Sequence, residues 1–189
     1  MQKQLAAVTK GLESAQSRLE KLTERITEDH WQVRNDPARW SVAECVAHLN
    51  LTSAAYIPLI RAALAEARAT GETKAQAYHR DPMGWLFSTM TGPLPSLGRK
   101  RIGRVKTMAA FIPEGNLPRQ IVLAAFKRDH DELIGMAHEA EGLPIDKVRI
   151  TSPFGGKIRY NCYSAFVIIP RHDARHLEQA ELVWNGKAG

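Results

Sequence analysis

Hydrophobic residues recur along the first segment at alternating steps of three and four: Leu5, Val8, Leu12, Ala15, Leu19, Leu22 and Ile26. That spacing draws one apolar stripe down a helix, with polar residues on the other faces, as in an outer member of a helical bundle. The stripe predicts a helix over 3–28, weakened slightly by Gly11. A connector with Asn35-Asp36-Pro37 as its turn signal then leads to Trp40. A second helix is predicted over 41–70. Ser41 can cap it, Glu44 completes a capping box, and Trp40 can staple onto Cys45. Pro58 predicts a kink inside it, and Gly71 its end.

From Thr70 to Leu117 the pattern breaks up, with Pro82, Pro93, Pro95 and Pro113 among several glycines. One short helix around Trp85 to Met90 is expected within an otherwise long crossover. A third helix is predicted over 118–140, with Pro118 in its first turn and Val122, Phe126, Leu133, Met136 and Ala140 as its stripe. Between Val148 and Tyr160, alternation around Ser152-Pro153-Phe154-Gly155-Gly156 fits either a small hairpin or a structured loop. The last helix is predicted over 161–184, capped by Asn161 and bent at Pro170. The expected architecture is all-α: four long helices in one domain over residues 1–189, with the long crossover between the second and third.

Composition changes this picture little. With 44% hydrophobic and 24% charged residues in 189, the chain reads as an ordinary globular domain. No stretch approaches the ~18 apolar residues of a membrane span, and Met1 to Glu20 lack a signal peptide's apolar core. Two cysteines, Cys45 and Cys162, are too few for a disulfide scaffold, so a cytoplasmic location is expected, with no membrane partner. The formal charge of +6 raises nucleic-acid binding. Five cations, Arg99, Lys100, Arg101, Arg104 and Lys106, cluster in the crossover, which reads as a solvated loop or an anion site. Without interleaved aromatics or a known module, nucleic acid is the weakest partner class.

The candidate chemistry lies in the histidines. His172 and His176 are four apart on the last helix, so both project from one face and can chelate one ion. Ile169, Gln179 and Val183 share that face, which turns the pair toward the core. Two buried imidazoles without partners are costly, and a metal satisfies both. His48 shares an inward face with Cys45, Leu49 and Thr52, and is either a satisfied core histidine or the candidate for a third ligand, which the pair needs from another helix. His30, His79, His130 and His138 read as surface residues. Asp129 interrupts the stripe of the third helix. It could orient a ligand histidine, pair with Arg175, or be exposed by twist of the helix.

Two motifs make the chain familiar. Trp40-Ser41-Val42-Ala43-Glu44-Cys45-Val46-Ala47-His48-Leu49 and His172-Asp173-Ala174-Arg175-His176-Leu177-Glu178-Gln179 resemble, in this order, the two signatures of the DinB/YfiT-like superfamily. The resemblance spans nearly the whole chain. It implies a four-helix bundle of up-down-down-up topology, often dimeric, and a metal, commonly zinc or nickel, held by His48, His172 and His176. It also implies a thiol-dependent S-transferase or isomerase using a low-molecular-weight thiol, or a metal-dependent hydrolase. Three neutral imidazoles leave an ion's charge uncompensated and a position open, where a water or a thiol would be activated. The ligand set does not choose between these, so the catalytic residues stay unassigned. Gln179 is the candidate to hydrogen-bond a ligand or the bound water, and the capping role of Glu44 accounts for it without catalysis. The expected function is metal-dependent thiol transfer to a small electrophile, with hydrolysis and a non-catalytic metal-binding bundle as alternatives.

Overall fold

The computed structural model describes residues 2–74, 77–93, 96–97, 100–101 and 107–186, with 96–97 and 100–101 described by backbone alone. Within these, the chain is mostly helical. The six helices are α1 (Lys3–Thr23), α2 (Glu28–Trp31), α3 (Val42–Ala69), α4 (Pro82–Thr91), α5 (Arg119–Glu139) and α6 (Cys162–Trp184). A 3-10 turn, Ala109–Phe111, precedes α5. Two antiparallel hairpins complete the fold: β1 (Ser96–Leu97) with β2 (Lys100–Arg101), and β3 (Arg149–Thr151) with β4 (Arg159–Asn161). Of the basic cluster, Arg99, Arg104 and Lys106 lie outside the described residues.

The stripe of α1 is buried as its spacing demands, from Leu5 to Leu22. The helix nevertheless ends at Thr23, short of 28. Arg119 of α5 reaches back to this end, donating through Nη2 to the Thr23 carbonyl and through Nη1 to the Ile26 carbonyl at 2.8 Å. Those bonds satisfy terminal acceptors that a further helical turn would otherwise have taken. Ile26 remains buried beyond the helix, so the apolar period outlasts the hydrogen-bonded ladder. His30 therefore sits on the separate short helix α2 and is exposed, as are His79 and His138.

Local signals set the starts of α3, α4 and α6. The Ser41 side chain accepts from the Glu44 N–H, and the Glu44 carboxylate accepts from the Ser41 N–H, so the capping box of α3 is complete. Asp81 caps α4 by accepting from the Gly84 N–H at 2.7 Å, with Pro82 in the first turn. Asn161, the last residue of β4, caps α6 by accepting from the Ser164 N–H at 2.9 Å. The hairpin thus fixes where α6 begins. Its register pairs Ile150 with Tyr160, both buried, and their neighbours Arg149 and Thr151 point to solvent.

The long helices pack in pairs: α1 against α5 and α6, and α3 against α5 and α6. Small residues set two of the closest approaches. A Cβ on Gly11 would lie 2.8 Å from the Pro170 side chain, so the glycine that weakens α1 also lets it seat on α6. A Cβ on Gly84 would fall 1.9 Å from Ser164 Oγ, so α4 lies directly on the first turn of α6. That contact positions α4, and with it one wall of the site.

Candidate metal centre

His48 lies in the second turn of α3, and His172 and His176 lie on the facing side of α6. All three are buried, at 3%, 6% and 8% exposure. One ring nitrogen from each falls within 4.8 Å of the other two. The ring centroids are 4.5 to 5.1 Å apart, and the half-buried Trp40 ring lies 4.9 Å from that of His48 and 6.0 Å from that of His176. The indole preceding the α3 cap therefore covers two of the imidazoles, a role beyond the staple expected of it.

Hydrogen bonds orient the rings. His48 Nδ1 donates to the Phe111 carbonyl at 2.7 Å, and His176 Nδ1 donates to Gln179 Oε1 at 3.1 Å. Each of these rings then carries its proton on Nδ1 and turns the Nε2 lone pair inward. His172 Nε2 lies 3.3 Å from His48 Nε2, while its buried Nδ1 has no hydrogen-bond partner among the described residues. Two nitrogens each ~2.0–2.1 Å from a tetrahedral zinc ion would be about 3.3–3.4 Å apart. The residues present thus fit a divalent ion: three buried histidines that could bind it.

Electrostatics act in the same direction. Burial is the largest influence lowering the pKa of all three imidazoles, strongly so for His172 and His176. The Arg175 charge pushes each further down, and the Phe111 and Gln179 acceptors oppose this only in part. The rings are held neutral, which is the form that coordinates metal.

The site opens into a cavity of about 210 Å³. Its walls come from Phe87 and Met90 of α4, Met108 and Phe111 of the crossover, and Phe154 of the β3–β4 turn. Arg175 also faces it, its Nη1 donating to the Met90 carbonyl at 3.0 Å. Glu44 is not part of this wall. Burial raises its pKa, but bonds from Arg34 and Ser41 outweigh that and hold the carboxyl below its ordinary range. Both thiols are buried as well. Burial pushes Cys162 up to about 12 and Cys45 higher, so neither offers a thiolate near neutral pH.

One histidine departs from expectation. His130 is fully buried rather than on the surface. Its Nδ1 donates to the Phe126 carbonyl at 2.9 Å, and its Nε2 lies 3.1 Å from Asp173 Oδ2, joining α5 to α6 next to His172. His130 follows Asp129 at the margin of the α5 stripe, and only the packing of α6 buries it. Asp129 is buried too, and binds Arg128 at 2.7 Å.

Fold and site together define a mostly helical protein with three clustered, buried histidines able to hold a metal ion. Residues 11–180 match the DinB superfamily, and the chain belongs to it. No curated protein and no solved structure matches the chain.

Proposed function

We propose that the protein is a metal-dependent enzyme in which His48, His172 and His176 hold one zinc or nickel ion and a low-molecular-weight thiol is transferred to a small electrophile. In this reading α1, α3, α5 and α6 form one four-helix bundle of up-down-down-up topology, spanning the whole chain and working as a cytoplasmic homodimer. The observation that carries it is the convergence of three neutral, buried imidazoles within 4.8 Å beside an apolar cavity.

When bound, the ion supplies Lewis acidity and an open position for an incoming water or thiol. The chain's own residues do the rest. The Phe111 carbonyl and Gln179 aim two imidazoles, burial keeps all three unprotonated, and Phe87, Phe111 and Phe154 limit access of water. A thiol from outside is favoured because Cys45 and Cys162 are buried away from the cavity with raised pKa values.

The test is thiol consumption by zinc- or nickel-loaded protein, pairing glutathione, bacillithiol or mycothiol with a panel of activated halides and epoxides. Turnover that disappears on chelation and in His172→Ala is expected. Metal-dependent ester or amide cleavage without thiol would move the assignment to a hydrolase. Absence of metal-dependent turnover with every pair would overturn the enzymatic reading.

A further inference from the structure

We propose that the cavity beside the three histidines binds a compound with one aromatic ring and a short reactive substituent, the ring lying among Phe87, Phe111 and Phe154. The proposal names the class of the small electrophile, and it rests on the reading of this cavity as the substrate site.

The wall offers aromatic and polarisable surface. Among the described residues, three phenyl rings and the thioethers of Met90 and Met108 line the space together with the imidazoles. Phe154 joins these rings to one another. Its centroid lies 4.7 Å from that of Phe111 and 5.8 Å from those of His172 and Tyr56, at tilts of 53°, 42° and 70°. The Phe111 ring in turn meets His48 edge-on at 6.5 Å. These are the spacings and tilts at which aromatic pairs attract beyond their buried area. A ligand ring entering the cavity extends the cluster, and its edge can also meet sulfur. A saturated ring of the same size buries a similar area and gains neither contact.

The wall is in place before a ligand arrives. The Phe154 N–H donates to Ser152 Oγ at 3.2 Å, and the Ser152 N–H closes the turn on the Ile158 carbonyl at 2.7 Å. A ligand therefore bears little cost of ordering it. The Thr91 hydroxyl, also at the wall, is already donated to the Phe87 carbonyl at 2.8 Å. Against the phenyl rings and thioethers, a polar body would lose its hydration without replacement. Size narrows the class further. An apolar cavity of about 150 Å³ takes benzene. A volume of about 210 Å³ then holds one six-membered ring and a substituent of roughly two or three atoms.

The experiment is titration of metal-free and zinc-loaded protein with benzyl alcohol, cyclohexylmethanol and tetrahydropyran-4-ylmethanol, followed by NMR of the methionine methyl groups. The probes are uncharged and share one hydroxymethyl group, so only the ring differs. Wild type, Phe154→Leu and Phe87→Leu are compared, with elemental analysis and circular dichroism on every sample. Benzyl alcohol should shift the Met90 and Met108 signals and leave Met136, buried in the core, unmoved. It should bind about tenfold to a hundredfold more tightly than the tetrahydropyran. It should also exceed cyclohexylmethanol by about twofold to tenfold, the range of one aromatic pair, although the saturated ring is the more hydrophobic. Folded leucine variants keep an apolar wall, so they should lose the aromatic preference and retain the apolar one. Cyclohexylmethanol binding as tightly as benzyl alcohol in wild type would overturn the proposal, as would failure of benzyl alcohol to bind. Shifts confined to Met83, or an aromatic preference unchanged in both variants, would place the ring elsewhere and overturn it too. If wild type takes up no metal yet keeps the ring preference, the metal reading fails and this inference stands. Stoichiometric metal without the preference means the reverse.

Discussion

Acidifying the metal-free protein should destabilise it in a window set by the buried imidazoles. In the folded state burial holds the pKa of His172 and His176 well below the ordinary value, and that of His48 below it to a lesser degree. In the unfolded chain each titrates near ~6.5. Below that pH the unfolded state binds protons that the folded state refuses, so stability is full above pH 7 and falls as pH drops. Between pH 7.5 and 5.5, a histidine that stays neutral in the folded state throughout costs at most a little over ~1 kcal/mol. His172 and His176 together should lower stability by up to about 2–3 kcal/mol, with a smaller addition from His48. That is a large share of the roughly 5–15 kcal/mol by which domains are stable. Urea unfolding in a chelator at pH 7.5, 6.5 and 5.5 measures it, with His172→Phe as the comparison. The variant should remove about half of the fall. A flat profile in the wild type, or an unchanged slope in the variant, would refute the argument that these rings are buried and neutral.

Other substitutions probe the packing that builds the site. Gly84→Ala puts a methyl 1.9 Å from Ser164 Oγ and 2.3 Å from its Cβ, so thermal and urea unfolding should show a loss of about 1–3 kcal/mol. Adding Ser164→Ala should not restore it, because the Cβ contact remains. Asp173→Ala strands the buried His130 Nε2 and should cost about 3 kcal/mol in the same measurement; a loss under about 1 kcal/mol would mean the pair contributes little. Ser41→Ala removes the α3 cap and should cost about 1 kcal/mol, with metal content unchanged if Ser41 and Glu44 serve only the helix.

What was legible in the chain was what local rules govern. The α1 stripe, the Ser41–Glu44 capping box and the Asn161 cap each arise from residues within one or two turns, and the structure places them where the spacing puts them. The inward direction of His48, His172 and His176 followed from helical period alone. What escaped depends on contacts between distant segments. The early end of α1 is set by Arg119, far along the chain. The Phe111 carbonyl that orients His48 is a main-chain group in the crossover and carries no side-chain signal. The burial of His130 escapes because it comes from α6, not from the pattern of its own helix. The cavity likewise needs α4, the 3-10 turn and the β3–β4 turn together, and no single stretch announces it.

The central claim is that His48, His172 and His176 jointly hold an ion, and metal stoichiometry tests it most directly. Elemental analysis of protein purified without chelator, then dialysed and reloaded with zinc or nickel, should give one ion per chain in wild type. Each of His48→Ala, His172→Ala and His176→Ala should lower that to a small fraction while keeping the helical circular dichroism spectrum. A wild type that takes up neither metal, or folded variants that retain a full equivalent, would contradict the account.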